Sequence, residues 1–138
     1  NMEEADKLVL KAFEIIDYFK PELWFVENPQ TGKLKDRDIM KDKPFYDVDY
    51  CMYSDWGYQK RTRIWTNKKD WTNLICDKSG SCGNMILLDN KRHLHKTNCG
   101  NTEKQQAVRN YLSIKGGGTN RLERYRIPEE LILSLFLD

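Results

Sequence analysis

A helix-spaced apolar pattern stops at a proline and gives way almost at once to an unbroken apolar run that ends in a carboxylate. From Glu4 to Phe19 the apolar residues Ala5, Leu8, Val9, Ala12, Phe13, Ile16 and Phe19 recur at helical spacing, which predicts a helix with one buried face. Pro21 ends it, because the residue before a proline is pushed out of the α region. Leu23-Trp24-Phe25-Val26 follows. A short apolar run flanked by a helix predicts a parallel strand buried on both faces. It runs into Glu27-Asn28-Pro29. Open α/β sheets bind ligands just beyond the carboxyl ends of their strands, so a carboxylate there suits a ligand better than packing. The structural alternative is a capping or salt-bridging carboxylate.

Thr31 to Lys43 is polar and reads as a loop with a short helix. From Tyr46 to Tyr53 the pattern alternates, with Tyr46, Val48, Tyr50 and Met52 on one face and Asp47, Asp49 and Cys51 on the other, which predicts a strand. Ser54-Asp55-Trp56-Gly57 makes a turn. Arg61 to Thr66 then reads as a return strand, antiparallel to the one before. Residues 67–118 are polar and lack a clear long element, although Thr102 to Leu112 fits a short helix and Gly116-Gly117-Gly118 a flexible break. Ile127-Pro128 opens a last apolar helix through Leu131, Ile132, Leu135 and Phe136, with proline acceptable in a first turn.

Charge separates these regions. Residues 1–57 hold 8 Lys and Arg against 13 Asp and Glu, whereas residues 58–126 hold 15 against 5. A basic middle segment suggests a polyanion partner, with a merely solvated surface as the alternative. No apolar run approaches the roughly 18 residues a membrane helix needs. The first twenty residues do not read as a secretory signal either. The expectation is therefore an intracellular protein, in nucleus or cytoplasm, in which Cys51, Cys76, Cys82 and Cys99 are free thiols or metal ligands rather than disulfides.

Two motifs occur in a fixed order: Glu27-Asn28-Pro29 at a strand end, then Gly57 followed by Gln59-Lys60-Arg61-Thr62-Arg63. In this the chain resembles the cytosine-5 DNA methyltransferase family, which has an ENV motif (VI) at a strand end and later a glycine followed by QxRxR on a β-hairpin (VIII). Arg61 to Asn67 reads RxRxWxN and is similar, with one residue fewer before the tryptophan, to the RxRxxWxN run of some eukaryotic members. Val26 to Gly32, Asp49 to Trp65 and Tyr125 to Ile132 resemble the IENPxTG, DYCxxxxWGYxKxTRxW and YRIPxxLI segments of phage and viral members. The likeness covers about residues 4–67 and 119–138.

The resemblance implies an α/β fold: the C-terminal half of a Rossmann-like methyltransferase sheet with an antiparallel hairpin (residues 1–67), a small irregular target-recognition segment (68–118), and a terminal helix returning to the core (119–138), similar to a degenerate motif X. Carbon-5 methylation needs a cysteine thiolate to add at carbon 6 of cytosine, which leaves charge on N3 and O2. A carboxyl group in a dry pocket suits N3, and the resemblance assigns this to Glu27. A fixed arginine suits O2, and the resemblance assigns this to Arg63, braced by Arg61 and Gln59, with Asn28 and Gln59 against the flipped base. For the two arginines the alternative is non-specific phosphate contact.

Two family features are absent: the glycine-rich S-adenosylmethionine loop and the Pro-Cys nucleophile. Cys51, expected mid-strand, reads as a packed thiol rather than a replacement. The expected partners are double-stranded DNA, held by Lys60, Lys68, Lys69, Lys91, Arg92 and Lys96, and an N-terminal methyltransferase half in the same polypeptide or a separate subunit. Without that half the chain should not methylate. A second reading is a methyltransferase-derived DNA-binding or regulatory module without catalysis. Cys76, Cys82, His93, His95 and Cys99 also form two clusters that could hold one zinc ion and help a polar segment fold; free thiols and exposed histidines on a DNA-facing loop are the alternative.

Overall fold

In a computed structural model of the chain, residues 1–87, 93–97 and 122–138 are described. The first helix, α1, spans Met2–Phe19. The Asn1 side chain caps it by accepting from the Glu3 amide at 3.0 Å, which satisfies one of the orphan donors of a helix start. Lys20 turns left-handed at φ 47° and its amide closes on the Ile16 carbonyl, so the helix stops where Pro21 predicts. Among the described residues, one side of α1 packs. Phe13 is buried, with Val9 and Ile16 partly so, against Met40, Trp65, Trp24 and Val26. Arg37 ties the helix to the following turns through its guanidinium and the Asp6 carboxylate.

Three strands form one sheet: β1 (Phe25–Pro29), β2 (Phe45–Asp49) and β3 (Arg61–Thr66). The order is β1-β3-β2, and both pairings are antiparallel. The expected parallel strand is therefore corrected. The hydrogen-bonded neighbour of β1 is β3, running the opposite way, and all five β1 residues are half-buried rather than covered on both faces. The strand also starts later than the apolar run suggests, so Glu27 lies inside it and not beyond its end. The result is a mixed α/β arrangement with small antiparallel sheets.

The central strand carries the burial. Thr62, Ile64, Trp65 and Thr66 are all enclosed, as expected of a strand flanked on both edges and covered on both faces. Emptying the Trp65 site would cost about 3–5 kcal/mol, typical of a large core aromatic cut to alanine. On one face Ile64, Val48, Tyr50, Tyr53, Tyr58 and Trp71 pack with Leu131 and Leu135. Those leucines belong to α2, Glu129–Leu137, which starts at Pro128 as the sequence predicts. Its docking is fixed by Phe136 against Phe25 and by Trp71 Nε1 donating to Ser134 Oγ at 3.0 Å. The other face carries Trp65 and Val26 under α1.

Strand β2 ends at Asp49, earlier than the alternation suggests. Tyr50–Met52 coil into a 3-10 turn, so Cys51 sits in that turn and not mid-strand. Its thiol is buried, as expected. Beyond β3 the chain runs back along the free edge of β2. The Asp49 amide donates to the Leu74 carbonyl, the Leu74 amide to Tyr53 Oη, and Asn73 Nδ2 to the Asp47 carbonyl. Covering an edge in this way removes a template for unwanted strand pairing. A separate two-stranded antiparallel sheet, β4 (Met85–Leu87) with β5 (His93–His95), lies in the stretch where no long element was expected. The helix expected at Thr102 to Leu112, the glycine break, Lys91, Arg92 and Cys99 lie outside the described residues.

Candidate functional site

The strand register decides which motif residues can meet. Residues directly opposite across a ladder share a face, and successive residues alternate. Glu27 is opposite Ile64, while Arg63 is opposite Asn28 on one side and Asp47 on the other. Glu27 and Arg63 therefore project from opposite faces of the sheet. The single pocket in which both were expected to converge is not formed by these strands. The physical reason is the pleat: the two positions are one residue out of register, and a strand period of two separates them completely.

Both arginines are engaged on their own face. Arg63 forks onto Asp47, with Nε–Oδ1 2.8 Å and Nη2–Oδ2 3.0 Å, and lies 3.7 Å over the Phe45 ring. Arg61 forks onto Asp49, with Nε–Oδ1 3.0 Å and Nη2–Oδ2 2.8 Å. Asp49 is fully enclosed and also accepts from the Cys76 amide at 2.8 Å and from the Gln59 side chain. Burial alone would raise the Asp49 carboxyl. The Arg61 guanidinium and the Cys76 amide outweigh it and hold the group below its usual range, while Asp49 raises Arg61 in turn. Gln59 and Arg61 thus brace the hairpin, around a buried aspartate.

The Glu27 face has a different chemistry. Tyr50 Oη donates to Glu27 Oε2 at 3.3 Å, and Lys60 Nζ lies 4.8 Å from the Tyr50 ring centre. Lys60 takes a left-handed conformation at φ 38° and donates to the Arg124 carbonyl at 2.5 Å. Lys60 thus lies over the ring whose hydroxyl contacts Glu27. Burial, reinforced by the Glu27 charge, raises the Tyr50 phenol well above its ordinary value, so it remains a proton donor. Asn28 lies on the far face beside the Gly32 turn; a Cβ on Gly32 would meet Asn28 Nδ2 at 2.9 Å. Lys68 is half-buried, while Lys69 and Lys96 are exposed. A cleft of about 660 Å³ lies elsewhere, between the Cys51–Trp56 turn and the start of α2. It is lined by Asp55, Glu129 and Glu130, which disfavours a phosphate.

A buried asparagine that the sequence gives no reason to single out holds the second sheet to the first. Asn84 Nδ2 donates to the carbonyls of Cys51 and Ser54, both at 2.8 Å, and Oδ1 accepts from the Gly57 amide at 3.0 Å. Gly57 is left-handed at φ 87°, and a Cβ there would lie 2.7 Å from Thr97 Oγ1. The glycine before the QxRxR-like run is thus required by backbone conformation and by the close approach of residue 97.

The stitched loops also gather sulfur and nitrogen. Cys51, Cys76, Cys82 and His95 place one donor atom each within 4.8 Å of one another. His95 Nε2 is 3.7 Å from Cys76 Sγ and 3.9 Å from Cys82 Sγ. None of these three cysteines forms a disulfide. Burial pushes the Cys51 and Cys76 thiols up and His95 down. Of the expected cluster, Cys76, Cys82 and His95 are brought together, and Cys51 joins them; the side chains of His93 and Cys99 lie outside the described residues. Sequence spacing does not group Cys51 with these donors, because it is distant in sequence and enters through a turn that interrupts an apparent strand.

Over 131 residues the chain is 38% identical to the probable DNA (cytosine-5)-methyltransferase of Frog virus 3 (isolate Goorha), a match that takes in 93% of this chain and 55% of that relative. The matched part is the C-terminal one, and the chain spans about half the length of the curated relative it matches. No family model matches the chain, and no solved structure matches it. Among the described residues no helix is long and apolar enough to cross a membrane.

Proposed function

We propose that this chain is part of a DNA cytosine-5 methyltransferase and forms the side that receives the flipped cytosine and faces DNA. The observation that carries the reading is the 38% identity over nearly the whole chain to a probable enzyme of that kind. In this role Glu27, held by the Tyr50 hydroxyl, meets the N3 side of the base and shares a proton there as a thiolate adds at carbon 6. Lys60, on the same face, offers positive charge to the oxygen side of the ring. Gln59, Arg61 and Arg63 act through Asp49 and Asp47 by holding the hairpin.

S-adenosylmethionine would supply the methyl group. The described residues do not fit it, since β1 leads into 3-10 turns at Leu34–Asp36 and Asp38–Met40 and not into a glycine-rich loop and helix. The cofactor site and the nucleophile belong to a further half of the enzyme, in cis or as a separate subunit. An apolar stripe on α1, with Leu8, Ile15 and Phe19 at 75%, 50% and 72% exposure, supports such a partner. Double-stranded DNA would lie along the basic region 58–126, including Lys68, Lys69 and Lys96.

The test joins the chain to such a half and measures methyl transfer to cytosine-containing duplexes. Glu27→Gln should lower the rate by about 10²–10⁴, the usual contribution of a positioned proton-transfer group. Full activity in that variant would remove Glu27 from the mechanism. One observation favours a second reading, a non-catalytic DNA-binding module: Glu27 and Arg63 lie on opposite faces of the sheet. That reading predicts salt-sensitive DNA affinity and no methyl transfer on completion.

A further inference from the structure

We propose that Cys51, Cys76, Cys82 and His95 hold one zinc ion in a tetrahedral Cys3His centre that clamps the segment carrying β4 and β5 onto the hairpin. The inference stands independently of the methyltransferase reading. Tetrahedral zinc with Zn–S near 2.3 Å and Zn–N near 2.0 Å sets its ligand atoms roughly 3.5–3.8 Å apart. Cys76 Sγ and Cys82 Sγ lie 3.7 and 3.9 Å from His95 Nε2, and all four donors lie within 4.8 Å of one another. Contraction of about an ångström or less would complete the geometry.

The donors come from separate parts of the chain: the turn after β2, the segment along its edge, the loop before β4, and β5. That is the pattern of a cross-link and not of a local turn. Two of the sulfurs already receive backbone amides from two residues on, Lys78 N to Cys76 Sγ at 3.4 Å and Asn84 N to Cys82 Sγ at 3.5 Å. Lys78 at φ 60° and Gly83 at φ 76° turn left-handed to permit this. Amides aimed at sulfur stabilise thiolate, the form that binds metal; on binding, three thiols release their protons to water and a neutral imidazole completes the set.

A two-stranded sheet is marginal by itself, so a metal cross-link gives this one a reason to be ordered. The centre also reaches the hairpin directly. The Cys76 amide donates to Asp49 Oδ2, the oxygen that Arg61 Nη2 also contacts. Metal at Cys76 would therefore help fix the partner of Arg61.

The chain, reconstituted with zinc and dialysed, should retain one zinc per molecule by elemental analysis. Cobalt substitution should give the intense visible bands of a tetrahedral thiolate site. Cys82→Ser and His95→Ala should each weaken zinc binding by more than the roughly 10–100-fold typical of outer-sphere changes. His95→Cys should keep one metal and shift the cobalt spectrum toward four thiolates, which reads the centre in a chain whose ligand count is preserved. With zinc bound, the Cys51 thiol should resist alkylation. Substoichiometric zinc in the reconstituted chain, a disulfide among the three cysteines in its place, or zinc kept by Cys51→Ser and lost by Cys99→Ser would each overturn the proposal.

Discussion

Glu27 and Arg63 stand on opposite faces of the same three-stranded sheet, one residue out of register, with Asn28 and not Glu27 directly across from the arginine. The consequence for Arg63 is structural. It and Asp47 form a largely enclosed bidentate pair, 15% and 24% exposed, so truncating one partner leaves the other poorly solvated. Arg63→Ala should destabilise the chain by about 1–3 kcal/mol in urea unfolding. Glu27→Gln keeps an acceptor for Tyr50 and should change stability by no more than about 0.5 kcal/mol. Equal stability losses in the two variants would mean that the faces are not chemically distinct as described.

Asn84 makes its bonds where water cannot replace them. The residue is 3% exposed and links the carbonyls of Cys51 and Ser54 to the amide of Gly57. Asn84→Ala orphans several buried polar groups at about 1–3 kcal/mol each, so a loss of about 3 kcal/mol or more is expected. Asn84→Asp keeps the acceptor for Gly57 but sets a carboxylate against two carbonyls, and should not rescue. Thermal melts of the two variants decide this; a wild-type melt for Asn84→Asp would contradict the donor role of Nδ2.

Gly57 meets two separate obstacles to any side chain. Its φ of 87° disfavours L-residues, and a Cβ would sit 2.7 Å from Thr97 Oγ1. Gly57→Ala should cost more than about 1 kcal/mol from conformation alone. Thr97→Ala in the same chain should return only the steric part, because Gly57 is still left-handed. Complete recovery of the urea midpoint in the double variant would show that backbone strain contributes nothing.

The helices and the β2–β3 hairpin were legible in the sequence because each follows a local rule: helical apolar spacing up to Pro21, Pro128 opening α2, and alternation through Tyr46 and Val48. The direction of β1 was not. A run such as Leu23 to Val26 has no period that separates parallel from antiparallel, and pairing with β3 is a long-range choice. The face of Glu27 followed the same way, since it depends on a register that no single strand encodes. The cluster at Cys76, Cys82 and His95 was half legible from spacing. Its fourth member depends on Tyr50–Met52 leaving the strand, and Asn84 depends on three carbonyl and amide positions that only the fold brings together.

The same face that holds Glu27 makes stability sensitive to alkali. Burial first, then the neighbouring Glu27 charge, raises the Tyr50 phenol in the folded chain. A raised folded value means the native state favours the neutral phenol. That stabilisation is complete below the unfolded tyrosine value of about 10 and shrinks as pH rises beyond it, because only the unfolded chain ionises readily there. Urea midpoints should therefore fall above about pH 10. Tyr50→Phe removes the ionisable group and should flatten part of that fall, while Tyr53 and the Cys51 and Cys76 thiols, which burial also raises, keep contributing to the rest. An alkaline slope identical in Tyr50→Phe and the parent chain would show that Tyr50 titrates alike folded and unfolded, and that the Glu27 face is wetter than its buried tyrosine indicates.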